Sequence, residues 1–254
     1  TGGNFESLVP DNSHPPVTTI SDSVDTTTVT LSTTDTAITE GGVIVYTATL
    51  SNEAHAPVTV TLSNGVVINI AAGQTTGSAP FQTPINDVYN NGSTVSPTIT
   101  SATGGNFESL VPDNTHPPVT TISDSTDVTT VTLSTTDTAI TEGGVIVYTA
   151  TLSNEAHAPV TVTLSNGVVI NIAAGQTTGS APFQTPINDV YNNGGTVSPT
   201  ITSATGGNFE SLVPDNSHPP VTTISDSVDI TTVTLSTTDT AITEGGVIVY
   251  TATL

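Results

Sequence analysis

The chain has 254 residues and a formal net charge of −22, because it contains 22 Asp and Glu residues but no Lys or Arg. Without basic side chains it cannot neutralise phosphates, which excludes nucleic-acid binding and docking to an anionic membrane through a basic patch. It also lacks Cys, which excludes disulfides, thiol nucleophiles and thiolate zinc sites. No apolar run approaches the roughly 18 residues that a transmembrane helix requires.

The sequence repeats itself almost without change. The segment TGGNFESLVPDN begins at Thr1 and again at Thr103 and Thr205, so the period is 102 residues. Such a period is typical of one independent domain per copy. The Asp-, Ser- and Thr-rich stretch 20–28 resembles a linker. The predicted domains are therefore the end of a preceding repeat at 1–25, complete repeats at 26–127 and 128–229, and the first strands of a following repeat at 230–254.

Short runs rich in Val, Ile and Thr, in which apolar and polar residues alternate, predict β-strands throughout each copy. In the first copy these runs are 29–32, 43–51, 57–63, 66–71, 76–83, 94–102 and 118–123. Between two of them, Asn64-Gly65 predicts a hairpin turn. About seven short strands per copy predict an all-β fold of tandem immunoglobulin-like β-sandwich domains, arranged end to end.

The motif Asp87-Val88-Tyr89 precedes the sixth predicted strand. In immunoglobulin-like domains a Tyr at this place forms a tyrosine corner, in which its hydroxyl bonds to the backbone of its own domain. The alternative is a Tyr that packs at the edge of a strand.

The carboxylates have no Lys or Arg partner anywhere in the chain. Immunoglobulin-like topology places Glu40, Asp87, Asp124 and Asp127 in loops at one end of a domain. The facing end of the next domain offers Glu155, Glu210 and Asp215. Ca²⁺ takes six to eight oxygen ligands from such groups, whereas Mg²⁺ keeps its waters in a tighter octahedron. The alternative is that these acids are ordinary solvated surface charges.

The convergence of these acidic loops predicts Ca²⁺ sites at the junctions between successive domains. The predicted ligands are Asp22, Asp25, Glu40, Asp87, Asp124, Asp127, Glu142, Asp189, Asp226, Asp229 and Glu244.

The segments TEGGVIVYTATLS, VTVTLSNG, INDVY and SATGGNFESLVP resemble the extender repeats of giant bacterial adhesins exported by type I secretion, the RTX biofilm and ice-binding adhesins. The resemblance covers both complete copies. It implies tandem immunoglobulin-like domains with Ca²⁺ at their junctions, which project a binding tip from the bacterial cell surface. The nonapeptide calcium repeats of the secretion-signal end are absent from this sequence.

The predicted function is that of an extracellular spacer in an adhesin or fibre, whose partners are calcium, neighbouring repeats and like chains in a fibre. Two alternatives are a carbohydrate- or surface-binding β-sandwich module, and a filament, surface-layer or tail-fibre protein with strand pairing between chains. An enzyme is not expected. Asp11, Ser13 and His14 are too close together on a Pro-rich loop to form a catalytic triad, and the chain is poor in aromatic residues.

Overall fold

The computed structural model describes residues 3–254, and these residues form β-strands without any helix. They divide into two compact units. The first unit contains the chain up to Ile38, with Val43–Thr83 and Thr94–Thr121; the second contains Thr39–Gly42, Pro84–Ser93 and Ile122–Leu254. The second unit thus contains the whole second repeat together with two loops and the last residues of the first.

Each complete repeat has ten strands. Those of the first repeat are β1 (Thr26–Thr33), β2 (Ala37–Thr39), β3 (Val43–Leu50), β4 (Val58–Leu62), β5 (Val67–Ile70), β6 (Thr76–Gln82), β7 (Ser93–Val95), β8 (Ile99–Gly104), β9 (Ser109–Asp113) and β10 (Thr120–Ser123).

The second repeat has the corresponding strands. They are β11 (Val128–Thr135), β12 (Ala139–Thr141), β13 (Val145–Leu152), β14 (Val160–Leu164), β15 (Val169–Ile172), β16 (Thr178–Gln184), β17 (Gly195–Val197), β18 (Ile201–Gly206), β19 (Ser211–Asp215) and β20 (Thr222–Ser225). A final antiparallel pair, β21 (Thr234–Ser236) and β22 (Thr251–Thr253), follows.

The strands of the second repeat form three sheets, with the orders β16-β13-β11-β19, β15-β14-β18 and β12-β20-β17. Strand β11 pairs antiparallel with β13 and parallel with β19. Strand orders in the first repeat correspond. Alternate residues of the longer strands point inward, as in β13, where Ile146 and Tyr148 are fully buried beside exposed Val145 and Val147. They pack with Val160 and other core residues of β14 and β15, so each repeat encloses its own sandwich core.

The predicted all-β, immunoglobulin-like fold is confirmed, and each of the seven predicted runs contains a strand. The run 94–102 is divided into β7 and β8 at Pro97, which has no N–H to donate to a ladder. Sequence analysis missed β2 and β9. Strand β9 contains Pro112, which this strand tolerates because it lies at the edge of its sheet.

The predicted hairpin at Asn64-Gly65 is confirmed. Strands β4 and β5 pair antiparallel, and Gly65 between them has a φ of 85°, a conformation that other residues rarely adopt.

Candidate metal centre

Three carboxylates converge in the second unit. Glu40, Asp127 and Glu210 each offer an oxygen, and these oxygens lie within 4.8 Å of one another. Glu40 follows β2, Asp127 immediately precedes β11 and Glu210 immediately precedes β19. Among residues 3–254, this is the one group of three acidic or His side chains that come so close together.

The backbone fixes Glu40 in a tight turn. Its N–H donates to the carbonyl of Ser123 at 3.0 Å, and the N–H of Gly41 donates to the carbonyl of Pro84 at 2.6 Å. Gly41 has a φ of 75°, which explains a glycine directly after the acid. The TEGG sequence therefore turns the chain so that the Glu40 carboxylate points inward.

Hydrogen bonds hold one side of each carboxylate. Glu40 Oε1 accepts from the N–H of Ser125 at 3.2 Å, and Asp127 Oδ2 accepts from Asn86 Nδ2 at 2.7 Å. Glu210 Oε2 accepts from the N–H of Asp127 at 2.6 Å. Neighbouring loop residues thus hold Glu40 and Asp127, and the backbone of Asp127 holds Glu210.

The other side of two carboxylates has no partner. Glu40 is only 7% exposed, and its Oε2 is buried without a hydrogen bond; Oε1 of Glu210 is buried and unpaired as well. An unpaired buried carboxylate oxygen is costly, because it has lost water without gaining a donor. A bound cation would satisfy both oxygens.

The electrostatics of the cluster favour a cation. Burial raises the pKa of Glu210, and the nearby carboxylates of Glu40 and Asp127 raise it further, while the N–H of Asp127 acts in the opposite direction. No Lys or Arg exists in the chain to balance these charges. An arrangement of clustered oxygens without soft ligands suits a hard divalent ion such as Ca²⁺.

Parts of the same arrangement occur elsewhere. In the second repeat, Glu142 is 7% exposed, its Oε1 accepts from the N–H of Ser227 at 3.0 Å, and its Oε2 has no partner. Ser227 also donates to Asp229 at 2.9 Å. In the first unit, Glu108 Oε2 accepts from the N–H of Asp25 at 2.5 Å. Each of these arrangements corresponds to one part of the group formed by Glu40, Asp127 and Glu210.

Two other predicted ligands hold a loop. Asp87 accepts from the N–H of Tyr89 at 2.8 Å and from Asn91 Nδ2 at 3.0 Å, and both oxygens of Asp124 accept from the N–H of Asn91 at 3.2 Å. In the second repeat Asp189 accepts from Tyr191 and Asn193 in the same way, and Oδ1 of Asp226 accepts from the N–H of Asn193 at 3.1 Å. The predicted ligands Asp22, Asp25, Asp229 and Glu244 are exposed. The structure therefore brings together Glu40 and Asp127 of the predicted set, with Glu210 as the third.

Tyr89 is not a tyrosine corner, so that interpretation of the Asp87-Val88-Tyr89 motif is wrong. Its hydroxyl donates to the carbonyl of Glu155 at 2.8 Å, 66 residues further along the chain. Its ring stacks on His157, with centroids 3.4 Å apart and planes 13° apart, and lies 5.7 Å from the ring of Phe209. Burial raises the pKa of Tyr89, as do the charges of Glu155 and Asp87, so the hydroxyl remains a proton donor. Residues far apart in sequence therefore meet beside the carboxylate cluster.

A family model described as the LapA domain matches residues 25–125 and again residues 127–227. No curated protein matches the chain. None of the described residues forms a helix that could span a membrane.

Three solved structures are distantly similar. The Escherichia coli adhesin FdeC is 13% identical, with 84% of this chain and 67% of that chain covered and a TM-score of 0.28. The type II cohesin dyad of the Acetivibrio cellulolyticus scaffoldin ScaA is 12% identical (69% and 74% covered, TM-score 0.25). Salmonella alpha-2-macroglobulin is 8% identical (84% and 15% covered, TM-score 0.25). Such low TM-scores carry no functional argument.

Proposed function

We propose that this chain, which belongs to the LapA domain family, is a spacer in a bacterial surface adhesin. Its successive repeats are held together by Ca²⁺. The family is one of large adhesins, which supports a segment of a cell-surface adhesin with a structural role. We further infer that the chain binds Ca²⁺, acts as a spacer and is exported by type I secretion.

The buried, unpaired Oε2 of Glu40 is the observation that supports calcium best. Together with Asp127 and Glu210 it provides three carboxylates, and the hydroxyl of Ser125 and the amide of Asn86 lie beside them. These residues fit a Ca²⁺ ion, which accepts carboxylate, carbonyl and amide oxygens as well as water. Their oxygens would hold the ion, and the ion would neutralise their mutual repulsion.

The position of these ligands in the sequence gives the ion a mechanical role. Glu40 and Asp127 belong to the first repeat and to the residues that lead into the second, whereas Glu210 belongs to the second repeat. An ion held by all three would join the end of one repeat to the next. Without the ion, the carboxylates repel one another and the linker at Asp127 loosens.

This chemistry also suits export and the life of an adhesin outside the cell. In a calcium-poor cytosol the repulsion between carboxylates disfavours compact folding, as a type I secretion system that passes unfolded chains requires. Outside the cell, Ca²⁺ binds the native state alone and stabilises it by mass action. A row of stiffened repeats would then project a distal binding region for adhesion or biofilm formation.

The experiment that tests the proposal measures calcium binding and its mechanical effect in the same samples. Isothermal titration calorimetry with CaCl₂ should show a site with a Kd on the order of 0.1–1 mM, typical of extracellular modules. Small-angle scattering should show a longer maximum dimension in Ca²⁺ than in chelator.

Two variants with the same charge change separate the site from the general acidity of the chain. Glu40→Gln should abolish the binding, while Glu6→Gln, at an exposed residue outside the cluster, should leave it unchanged. Calorimetry without a heat of binding, or equal maximum dimensions with and without Ca²⁺, would refute the proposal.

A further inference from the structure

A single loop is bonded to the surroundings of all three carboxylates in the candidate metal centre. It comprises residues 84–90, between β6 and β7, and we name it the tyrosine loop. The carbonyl of its first residue accepts from the N–H of Gly41 at 2.6 Å, so the turn that carries Glu40 is bonded to the loop. Two residues later, Asn86 Nδ2 donates to Asp127 Oδ2 at 2.7 Å. The loop thus helps to place two of the three acids.

The third acid is bonded to the middle of the same loop. The N–H of Glu210 donates to the carbonyl of Val88 at 3.0 Å, and the N–H of Asn90 donates to the carbonyl of Asn208, also at 3.0 Å. These two bonds form an antiparallel β-bridge between the loop and the residues that precede β19. The carboxylate of Glu210 belongs to the cluster, and its Oε1 is buried and unpaired. One residue therefore takes part in both the bridge and the cluster.

Tyr89 holds this bridge together, with its ring in a groove formed by His157 and Phe209. The ring stacks on His157 with centroids 3.4 Å apart, and the hydroxyl donates to the carbonyl of Glu155 at 2.8 Å. The backbone bonds alone would hold the loop weakly, because a free amide bonds about as well to water. Neither contact of Tyr89 uses an oxygen of the carboxylate cluster. Tyr89 therefore holds the loop in place without being a ligand.

The shape of the loop and its docking in the groove are separate properties. Asp87 accepts from the N–H of Tyr89, and Asp189 accepts from the N–H of Tyr191 in the same way. Tyr191 is nevertheless 71% exposed, so these local bonds do not place a tyrosine ring in a groove. Docking can therefore respond to a bound ion while the loop keeps its shape.

We propose that Tyr89 is a positioning residue of the calcium site, and that ion binding and docking of the tyrosine loop stabilise each other. The inference deepens the proposed function and rests on it. With Tyr89 docked, the loop holds Glu210 beside Glu40 and Asp127, so the ligands are in place before the ion binds. Ligands that are already in place give a higher affinity, because less conformational freedom is lost on binding. By linkage, the ion favours the docked loop by the same factor.

Calorimetric titration of the whole chain with CaCl₂ tests the inference. Tyr89→Ala should raise the Kd of the site at least about fivefold, the lower end of the coupling that is typical between linked sites. Tyr89→Phe keeps the stack and should raise the Kd less. Tyr191→Ala makes the same change at the corresponding, exposed residue of the second repeat and should leave the Kd unchanged.

His157→Ala removes the other half of the stack and serves as an independent variant if Tyr89→Ala impairs folding. It should also raise the Kd, and the double variant should show little further loss, because both changes remove the same contact. His55→Ala, at the corresponding residue of the first repeat, is the matched control and should bind Ca²⁺ like the unchanged chain.

Amide hydrogen exchange of the unchanged chain measures the reverse effect, that of the ion on docking. The N–H groups of Asn90 and Glu210 form the bridge, so they should exchange more slowly in saturating Ca²⁺ than in chelator. The N–H of Tyr191, bonded within the corresponding loop, should exchange at the same rate in both conditions. Glu40→Gln removes a ligand outside the bridge and should abolish the slowing.

The possible failures separate this inference from the proposed function. If Ca²⁺ binds but Tyr89→Ala and His157→Ala keep the Kd of the unchanged chain, the inference is overturned and the proposed function stands. The same conclusion follows if Ca²⁺ binds and the amides of Asn90 and Glu210 exchange equally fast with and without it. If the unchanged chain shows neither a heat of binding nor slower exchange in Ca²⁺, both are overturned.

Discussion

Tyr89 and Tyr191 are the same residue of two nearly identical repeats, yet their surroundings differ. Tyr89 stacks on His157 and donates to the Glu155 carbonyl, whereas Tyr191 is 71% exposed. Both follow an Asp that accepts their own N–H. Asp87 and Asp189 thus hold the two loops in the same way, and the presence of a neighbouring groove decides whether the tyrosine ring is packed or exposed.

The acidic turns differ in the same way. Glu40 and Glu142 are equally buried, and each has an unpaired oxygen. Among the described residues, Glu40 alone has a third carboxylate, Glu210, within reach. In the second unit, a residue of the second repeat thus completes a carboxylate cluster that begins in the first repeat.

We expect the largest effect on stability from Ca²⁺ binding, and this effect should depend on Glu40 but not on Glu142. At a free Ca²⁺ concentration about 100 times Kd, one site stabilises the folded state by about 2.7 kcal/mol. Glu40→Gln should remove most of this gain in melts recorded with CaCl₂ and with chelator. Glu142→Gln makes the same change in the turn without a third carboxylate and should keep it; equal losses in both variants would show that the cluster is not the site.

Replacing each of the two tyrosines by Ala should have different effects on stability. Tyr89→Ala loses the stack on His157 and the contact with Phe209, and we expect it to lower the free energy of unfolding of the second unit by about 1–2 kcal/mol. Tyr191→Ala should change it by less than about 0.5 kcal/mol, because its side chain is exposed. Urea unfolding of dilute, monomeric samples measures both, and equal effects would contradict the difference in burial.

Removing only the hydroxyl of Tyr89 should have a smaller effect on the free energy of unfolding. Tyr89→Phe keeps the ring but removes the hydrogen bond to the carbonyl of Glu155, which should cost about 0.5–1.5 kcal/mol in the same unfolding experiment. Tyr191→Phe is the matched control and should be neutral. If Tyr89→Phe is as harmful as Tyr89→Ala, the stack contributes nothing.

The smallest effect is a pH dependence of the calcium-free protein. Because the pKa of Glu210 is raised in the folded state, the folded chain binds a proton more readily than the unfolded chain. In chelator, the contribution of Glu210 to stability should therefore fall as pH rises from the ordinary carboxyl pKa through the raised one. The difference in melting temperature between the unchanged chain and Glu210→Gln, recorded against pH, measures this contribution; a difference that does not vary with pH would contradict it.

Calcium should show the opposite trend with pH. The ion requires ionised carboxylates, so its stabilising effect should weaken as pH falls and Glu210 becomes protonated. Both trends together would identify Glu210 as a member of the site.

Glu40 and Asp127 are predicted as ligands from the sequence, because immunoglobulin-like topology places the TEGG loop and the linker at the same end of a domain. Glu210 is among the acids predicted at the facing end of the next domain, but it is not in the predicted ligand set. No local pattern distinguishes Glu210 from Glu155 or Asp215, and only the folded chain shows which of them points at Glu40. Its position immediately before β19 would have been a signal only if that strand had been predicted.

The role of Tyr89 could not be predicted for a related reason. Its partners His157 and Phe209 lie in the next copy, while identical residues, His55 and Phe107, occur in its own copy. Because the repeats are nearly identical, the sequence cannot show which copy supplies the residues that contact Tyr89.

The amino-acid sequence alone predicts the all-β fold and the hairpin turn, because alternation of apolar residues and turn chemistry act within one short segment, and the repeat period is visible in the sequence directly. The folded chain determines which acids gather and which tyrosine packs against a neighbouring repeat. Those outcomes depend on contacts between distant segments, where identical residues take different environments according to what lies opposite them.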